Sequence, residues 1–413
     1  MHSRCCTVLL LLMVAAMGLP PASAQNNRST ERSFVPSPSV RAMGDAGVAL
    51  PGPDRPFFYN PAQLPRLSSY FTVVGVQAAA SRSLRDQIAF FNRRLQPAIE
   101  DNFEWDTEAL DDLYRDAHRL GRRPVRGTGA VVLPSFVYST DGVGLGGGLF
   151  AKTALNYRMN DAGLGVPEVY LLSRTDVAAV LSVGFTLGAI GLPGLSVGGT
   201  ATQSRRFLTF ENKPLDAFAP DETALLLRGS AFQVDVGGLY TPSWWSLPGR
   251  LSLGGAVYDL LSNRYDYVFE GAPGLPFLDG FAAEAAAVDA GTAAREEKRA
   301  RRRFPLTSSY RVGAAYRLAS LYALDDVGLA VDYQGYGHGQ QHFLARLHAG
   351  VRATVTEGLT VRGGLSAGYP TGGLGLRLGA FQIDYAVHAF EEGRAPGRLR
   401  TYVHTARLTV RVQ

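Results

Sequence analysis

Two short patterns in the chain are of kinds that carry chemistry. Gly142-Val143-Gly144-Leu145-Gly146-Gly147 satisfies the G-x-G-x-x-G of dinucleotide sites, and Gly364-Leu365-Ser366-Ala367-Gly368 satisfies the G-x-S-x-G of a serine nucleophile elbow. Both work at a strand-to-helix turn, where backbone N–H groups or a strained serine meet the substrate. Here the glycine run opens a strand, and Tyr369-Pro370 and another strand follow Ser366. The glycines are therefore read as flat seats for aromatic neighbours, and Ser366 as a strand residue. His338 and His342 bracket Gly339-Gln340-Gln341 with no carboxylate beside them, which reads as a solvated loop rather than a metal site. No metal, cofactor or catalytic residue is expected.

A set of arginines carries more weight. Arg311, Arg317, Arg346, Arg352, Arg362, Arg377, Arg407 and Arg411, with His348 and His388, fall on one side of alternating stretches, balanced there by Asp332 and Asp384. Guanidinium forks match carboxylates in paired hydrogen bonds. Arg346, Arg352, Arg362, Arg377, Arg407 and His348, with Asp384 as counter-charge in the same lumenal set, could thus capture a carboxylate head group. Equally, the arginines could pair with carbonyls and acids of the N-terminal segment, such as Asp45 and Asp54. The two readings are compatible.

The elements that would position these residues follow from composition and period. The 413 residues are 46% hydrophobic and 19% charged, which excludes a disordered chain, and 47 glycines without a strict period exclude a collagen-like one. A net charge of +5 is too dilute to argue for nucleic acid. Past the N-terminus no apolar run reaches about 18 residues, which excludes a helical membrane protein but not a barrel. Arg4, the apolar stretch Thr7 to Met17 and Ala22-Ser23-Ala24 before Gln25 read as a cleaved signal peptide over 1–24, so the protein is exported. Cys5 and Cys6, the two cysteines of the chain, leave with it. Disulfides, thiolate metal sites and a cysteine nucleophile are then excluded together.

From residue 68 onward, apolar and polar residues alternate with period two. Tyr310, Val312, Ala314, Tyr316 and Leu318 alternate with Arg311, Gly313, Ala315 and Arg317; Phe381, Ile383, Tyr385, Val387 and Ala389 alternate with Gln382, Asp384, Ala386 and His388. Such sets point to opposite faces of a sheet. About fourteen segments of this kind are predicted, among them 249–270, 358–367 and 371–379, several of them long enough to cross a bilayer at a tilt, which takes about 9–11 residues. Short connections alternate with long ones, 81–127 and 270–306 being the longest, an asymmetry typical of outer-membrane barrels. The fold class is therefore all-β: a transmembrane antiparallel barrel of about fourteen strands over 68–413. Within 81–127, Leu84, Ile88, Phe91 and Leu95 share one helical face. Leu110, Leu113, Ala117 and Leu120 form a second stripe after an expected Thr107 N-cap. A helical hairpin over the barrel mouth is expected, with Phe91, Leu95, Leu113 and Leu120 as a hydrophobic entry surface. Residues Arg295 through Arg303 form a basic run, read as a solvated loop or as a contact with anionic lipopolysaccharide.

One resemblance sharpens this. Val40-Arg41-Ala42-Met43-Gly44-Asp45-Ala46-Gly47 and Phe57-Phe58-Tyr59-Asn60-Pro61-Ala62-Gln63-Leu64 resemble the opening of the FadL-like outer-membrane superfamily, which includes long-chain fatty acid transporters and PorV-type proteins. Gly363-Gly364-Leu365 through Tyr369-Pro370-Thr371-Gly372-Gly373-Leu374-Gly375, with Ile383-Asp384-Tyr385-Ala386, is similar to its closing strands. The resemblance implies that residues 25–67 form a plug inside the lumen, with Asn60, Pro61 and Ala62 as its motif. Gln63 stands where glycine is usual, and Val412-Gln413 replaces a terminal aromatic. It further implies passive passage of a hydrophobic or amphipathic, fatty-acid-like molecule through a Gram-negative outer membrane. The alternative it implies is a PorV-like scaffold for a secreted protein, with the helical hairpin and the basic run as docking surfaces.

Overall fold

Period-two alternation makes strands because it lets one face of each strand stay apolar while the other stays polar. In the computed structural model, which describes residues 35–50, 55–101, 104–121, 125–160, 168–214, 226–244, 248–261, 264–271, 290–304, 306, 308–336, 343–391 and 400–412, that alternation closes into a barrel. The signal segment 1–24, Asp54, His338 and His342 lie outside the described residues.

The strands are β1 (Tyr70–Ser81), β2 (Val125–Thr140), β3 (Val143–Asn160), β4 (Glu168–Thr186), β5 (Leu195–Pro214), β6 (Leu226–Tyr240), β7 (Arg250–Tyr258), β8 (Asp266–Gly271), β9 (Ser309–Leu321), β10 (Leu324–Tyr336), β11 (Leu347–Thr356), β12 (Leu359–Ser366), β13 (Tyr369–Leu378), β14 (Phe381–Glu391) and β15 (Arg400–Val412). All neighbours pair antiparallel, β1 pairs β15 from Phe71↔Val412 to Ser81↔Val403 and β5 pairs β6, so the sheet closes on itself. Both β7 and β8 pair with β6, and they are two halves of one stave. The barrel therefore has fourteen staves, as expected, but the segment predicted as one strand over 249–270 is broken. At the break Asp259 takes φ +52, its N–H donates to Asp235 Oδ1 at 2.7 Å, and Ser308 Oγ donates to its carbonyl at 2.9 Å.

The wall is uneven. Strands β3 to β5 have 18, 19 and 20 residues, whereas β12 and β13 have 8 and 10. The connection expected at 367–371 is a two-residue turn, Ala367-Gly368, with φ +52 and +86, the geometry that suits a tight hairpin. Outward positions carry Phe71, Val76, Leu145, Leu181, Phe185, Leu329, Leu365, Phe381 and Leu408, all exposed. A continuous apolar belt of this kind belongs against lipid rather than water. No helix among the described residues is long and apolar enough to cross a membrane.

Among the described residues, five helices accompany the barrel: α1 (Pro38–Ala42), α2 (Leu84–Phe90), α3 (Gln96–Glu100), α4 (Thr107–Gly121) and α5 (Ala290–Arg303). A π-helical turn, Phe91–Leu95, joins α2 to α3. The extra residue of that turn rotates the apolar stripe, so Phe90, Leu95 and Ala98 are buried while Ile88 is exposed. Helix α4 is capped by Asp106, whose Oδ1 accepts from the Ala109 N–H at 2.8 Å, rather than by Thr107.

The hairpin does not lie over the mouth. Its buried residues Phe90, Leu95, Ala98, Leu113 and Ala117 pack with Met159 and Val169, with Tyr157 beside them. On β3 the lumenal positions are Lys152, Ala154 and Asn156, which line an internal cavity with Arg126 and His388. Tyr157 and Met159 have the opposite parity, so the hairpin lies against the outer face of the barrel at its long-loop end.

Candidate functional site

The lumen is organised by the segment from Val35 to Arg66. It enters with α1, turns sharply at Gly44-Asp45 (φ +67 and +69), and returns through two 3-10 turns, Pro56–Phe58 and Pro61–Arg66. It sits directly on the wall because the wall presents glycines to it. A Cβ would lie 2.7 Å from Pro61 O at Gly184, 2.6 Å from Pro61 C at Gly198 and 2.5 Å from Val48 O at Gly254. It would lie 2.6 Å from Gly44 N at Gly364 and 2.7 Å from Ala42 Cβ at Gly373. At Gly144, Gly237 and Gly350 it would come closer still to plug atoms. This belt extends the reading of the glycine run as seats for aromatics, since one of the aromatics seated, Phe57, belongs to the plug. Gly144 and Gly146 are flat because Leu64 and Phe57 of the plug lie on them.

The belt is tilted. It runs near the short-turn end on β3 to β5 and rises to mid-strand on β9 and β11, following the plug. Hydrogen bonds fix the plug at that level. Asp332 Oδ2 accepts from the N–H groups of Gly47 at 2.7 Å and Val48 at 2.9 Å. Thr371 Oγ1 accepts from Gly44 N and donates to Ala42 O, both at 2.9 Å. Tyr258 Oη donates to Tyr59 O at 2.7 Å, and Thr200 Oγ1 to Phe57 O at 3.1 Å.

The Asn60-Pro61-Ala62 motif closes the plug on itself. Asn60 Oδ1 accepts from Ala62 N at 3.1 Å, while its Nδ2 donates to Val48 O at 2.8 Å and Gly238 O at 3.0 Å. The unexpected Gln63 has a matching role, its Nε2 donating to Gly47 O and Val48 O at 3.0 and 3.1 Å.

Charge completes the latch. Arg311 donates to Asp45 O, pairs with Asp45 Oδ2 at 3.3 Å, and lies 3.7 Å from Asp332 Oδ2. Arg41 reaches Asp45 at 3.5 Å. Burial pushes the Asp45 carboxyl up, but the Arg41 and Arg311 guanidiniums and His348 outweigh it and hold it at about 2.

The predicted arginine set divides. Arg407 and Arg362 share Asp384, at 2.8 and 3.1 Å, and Arg407 also reaches Ser37 Oγ at 3.4 Å. Arg352 pairs with Asp326 at 3.1 Å, as does Arg317. Arg352, Arg362 and Arg377 line a cavity of about 380 Å³ beneath the plug. Arg346 is a correction. It sits in the 3-10 turn Phe343–Arg346 ahead of β11, where strand parity does not extend, and donates to Tyr333 Oη at 3.3 Å. Tyr333 shares the parity of Leu329 and Val331 on the outer face, so Arg346 belongs to the long-loop rim rather than the lumen.

His348 Nδ1 lies 2.7 Å from Gly44 O and 3.3 Å from Ser366 Oγ. An imidazole nitrogen beside a carbonyl must carry the proton, so Nδ1 donates to the plug and is not a base for Ser366. The expected entry surface is also corrected. Leu95 and Leu113 are 1% and 0% exposed, and Phe91 and Leu120 pack against the same core, so the stripe is spent on the hairpin's own packing.

Sequence reading missed the apolar wall of the upper lumen. Tyr170, Leu172, Leu208, Phe210, Leu227, Tyr265 and Tyr267 point inward on β4, β5, β6 and the β8 stave, and Ala300, Phe304 and Leu306 cover them. Helix α5 is pinned there: Arg301 donates to Tyr267 O at 3.0 Å and pairs with Asp266 at 2.9 Å, and Arg299 lies over the Phe210 ring at 5.3 Å. Part of the basic run is thus spent on contacts within the chain, although Arg299 and Arg301 themselves stay exposed. Just below, Asp176 holds Arg206 at 2.6 Å and Arg174 at 3.2 Å, all buried. The apolar residues had the correct parity in sequence, but nothing there separates a greasy lumen from a greasy outer face.

No protein-family model matches the chain, and no curated protein matches it in sequence. Solved structures are similar in fold over most of its length. The Pseudomonas putida toluene transporter TodX is 10% identical, covers 95% of this chain and 99% of its own, and superposes with a TM-score of 0.46. The Ralstonia pickettii toluene transporter TbuX is 13% identical over 94% and 99%, with a TM-score of 0.46. A Pseudomonas aeruginosa FadL homologue is 11% identical over 91% and 98%, with a TM-score of 0.44.

Proposed function

We propose that the protein is a passive channel of the outer membrane for hydrophobic or amphipathic small molecules, with its short-turn end toward the periplasm. The observation that carries this is the inward apolar wall of Tyr170, Leu172, Leu208, Phe210, Leu227, Tyr265 and Tyr267 at the long-loop mouth, above a plug held by hydrogen bonds and packing. Ala300, Phe304 and Leu306 cover that wall, so a hydrophobic molecule would reach it when this cover lifts, and would then gain about 25 cal/mol for each Å² of apolar surface it hides. It would leave when the plug shifts. No covalent step, cofactor or energy source enters this reading. Fatty-acid-like cargo fits the apolar wall, as would other compounds of that polarity.

The test is uptake of a membrane-impeded hydrophobic dye by cells displaying the protein. Faster uptake of the dye than of a sugar of similar size, slowed by Leu208→Asp at the apolar wall, supports the channel. Equal uptake with and without the protein overturns it.

A second reading is a surface scaffold, possible lipopolysaccharide or secreted-protein contacts included. It is favoured by the tight seating of the plug on the glycine belt and by the hairpin α2–α4 spread over the outer wall. A protein co-purifying with the wild type and lost on hairpin deletion, with dye uptake unaffected, would select it.

A further inference from the structure

We propose that the chamber beneath the plug is a binding site for a compact phosphate-type polyanion reaching the barrel from its short-turn side. The tilt of the plug creates the space. On the β9 to β15 side the plug rides at mid-strand, so the lower ends of these strands enclose about 380 Å³ that the plug leaves unfilled. That volume suits a small molecule rather than a single ion.

The chamber gathers Arg66, Arg317, Arg352, Arg362, Arg377 and Arg411, from the plug and five strands, against Asp326 as its lining carboxylate. Arginine stays charged at any working pH, and its planar fork matches phosphate oxygens in pairs. The internal carboxylates offset part of this charge. Asp326 serves Arg317 and Arg352, and Asp384 serves Arg362 together with Arg407. Arg66 is bonded to Ser196 Oγ at 3.0 Å and to Gly194 O at 2.6 Å, which orients it without neutralising it. Burial and the nearby Arg250 make its charge harder to hold. Among the described residues Arg66 and Arg377 have no carboxylate within ion-pair distance. Six guanidiniums packed against one lining carboxylate repel one another. A single carboxylate group would answer one fork, whereas a diphosphate offers several oxygens and more than one charge.

The chamber also has a door. A second cavity of about 270 Å³ is lined by Arg377, Gln382 and Arg411 together with Gly379, Ala380 and Val412. The first three line the chamber as well, and the last three mark the β13–β14 turn and the end of β15 at the short-turn rim. Arg377 and Arg411 therefore stand both at the entrance and inside. The site does not depend on the channel reading, since it needs no passage through the plug.

The experiment is calorimetric titration of the folded full-length protein with pyrophosphate at about 0.15 M salt, with inorganic phosphate as the smaller comparison. Saturable one-to-one binding is expected, tighter for pyrophosphate than for phosphate. Arg377→Gln/Arg411→Gln is expected to weaken it by at least about tenfold, and Arg400→Gln at the opposite end of β15 to leave it unchanged. Retained heat-modifiable migration reports the fold. If the double variant does not fold, Arg377→Gln alone is titrated and a several-fold loss is expected. The titration is repeated in nanodiscs of phosphatidylglycerol and of phosphatidylcholine. Weaker pyrophosphate binding in the first identifies a lipid headgroup as the natural phosphate, and equal binding in both identifies a soluble phosphorylated compound. Absence of saturable binding, or an undiminished affinity in the folded variant, overturns the proposal.

Discussion

The glycine belt makes the strongest prediction, because a single methyl group is enough to test it. At Gly198 the three atoms nearest a new Cβ are Pro61 C, Pro61 O and Ala62 N, at 2.6, 2.7 and 2.8 Å; at Gly254 they are Val48 O, Ala49 Cα and Val48 C, at 2.5, 2.8 and 2.8 Å. All six belong to the plug, so Gly198→Ala/Gly254→Ala strains the plug seat and not the barrel ladder. Comfortable carbon contacts begin near 3.5 Å, so the plug must retreat by about 1 Å at both points. A retreat of that size takes the Gly47 and Val48 N–H groups, now 2.7 and 2.9 Å from Asp332, beyond hydrogen-bond range. Bonds to a charged acceptor contribute about 1.5–3 kcal/mol each, so the loss is about 3 kcal/mol after partial relaxation, roughly a hundredfold in the open population. Arg41 and Arg66 place trypsin sites along the plug. Cleavage there reports the open population when reclosing is fast. The matched control is Gly199→Ala/Gly255→Ala, one residue along each strand and facing outward, where the nearest atoms are 3.7 and 3.9 Å away. If the two double variants release plug fragments at the same rate with the barrel still folded, the belt is not what seats the plug.

Other consequences are simpler to read. The Asp45 carboxyl is held at about 2 against 3.8 unfolded, so its latch is fully present above about 4 and is lost as pH falls toward 2. Channel conductance in planar bilayers should rise over that window, and Asp45→Asn should abolish the step. Removing the carboxylate in Asp176→Ala strands Arg206 and Arg174, 1% and 6% exposed, and should cost about 3–5 kcal/mol, seen as a lower unfolding temperature on heat-modifiability gels. Leu113→Asp should free the hairpin at a cost of at least about 3 kcal/mol, loosening the helical backbone at the already exposed Arg93 and Arg94 so that trypsin cuts there while barrel migration stays normal.

What the sequence made legible was the side of each strand. Arg311, Arg352, Arg362, Arg407, His348, His388, Asp332 and Asp384 all lie inside the barrel, since parity along a strand is a local property. Depth is not local. Whether an inward arginine meets a plug acid, as Arg311 does, or an open chamber, as Arg377 does, depends on where a distant segment comes to rest. Arg346 failed for a related reason, because parity was carried one residue past the strand into a 3-10 turn. Glycine defeated the reading differently. It is neither apolar nor polar, so alternation assigns it no face, and reading the run as flat seats for aromatic neighbours did not show that a distant plug would sit on it. Leu95 and Leu113 show the limit of an amphipathic stripe: it tells that a helix face must be covered, and leaves open what covers it.

The tilt of the plug ties these observations together. A horizontal stopper would divide the lumen into two similar halves. A tilted one leaves the apolar wall of β4 to β8 above its low side and the arginine chamber below its high side. Tilt in turn requires the wall to be smooth along an oblique line, and this is where Gly144, Gly184, Gly198, Gly254 and Gly364 lie. Any molecule crossing the barrel on the channel reading leaves an apolar surface and enters a cationic one in a single step, past Asp332 and Asp45. A loosened latch should therefore raise the leak of small anions and neutral solutes more than that of cations, which the chamber's guanidiniums repel. Ion selectivity of Gly198→Ala/Gly254→Ala in planar bilayers tests this. A shift toward free cation passage would place the arginines off the pathway.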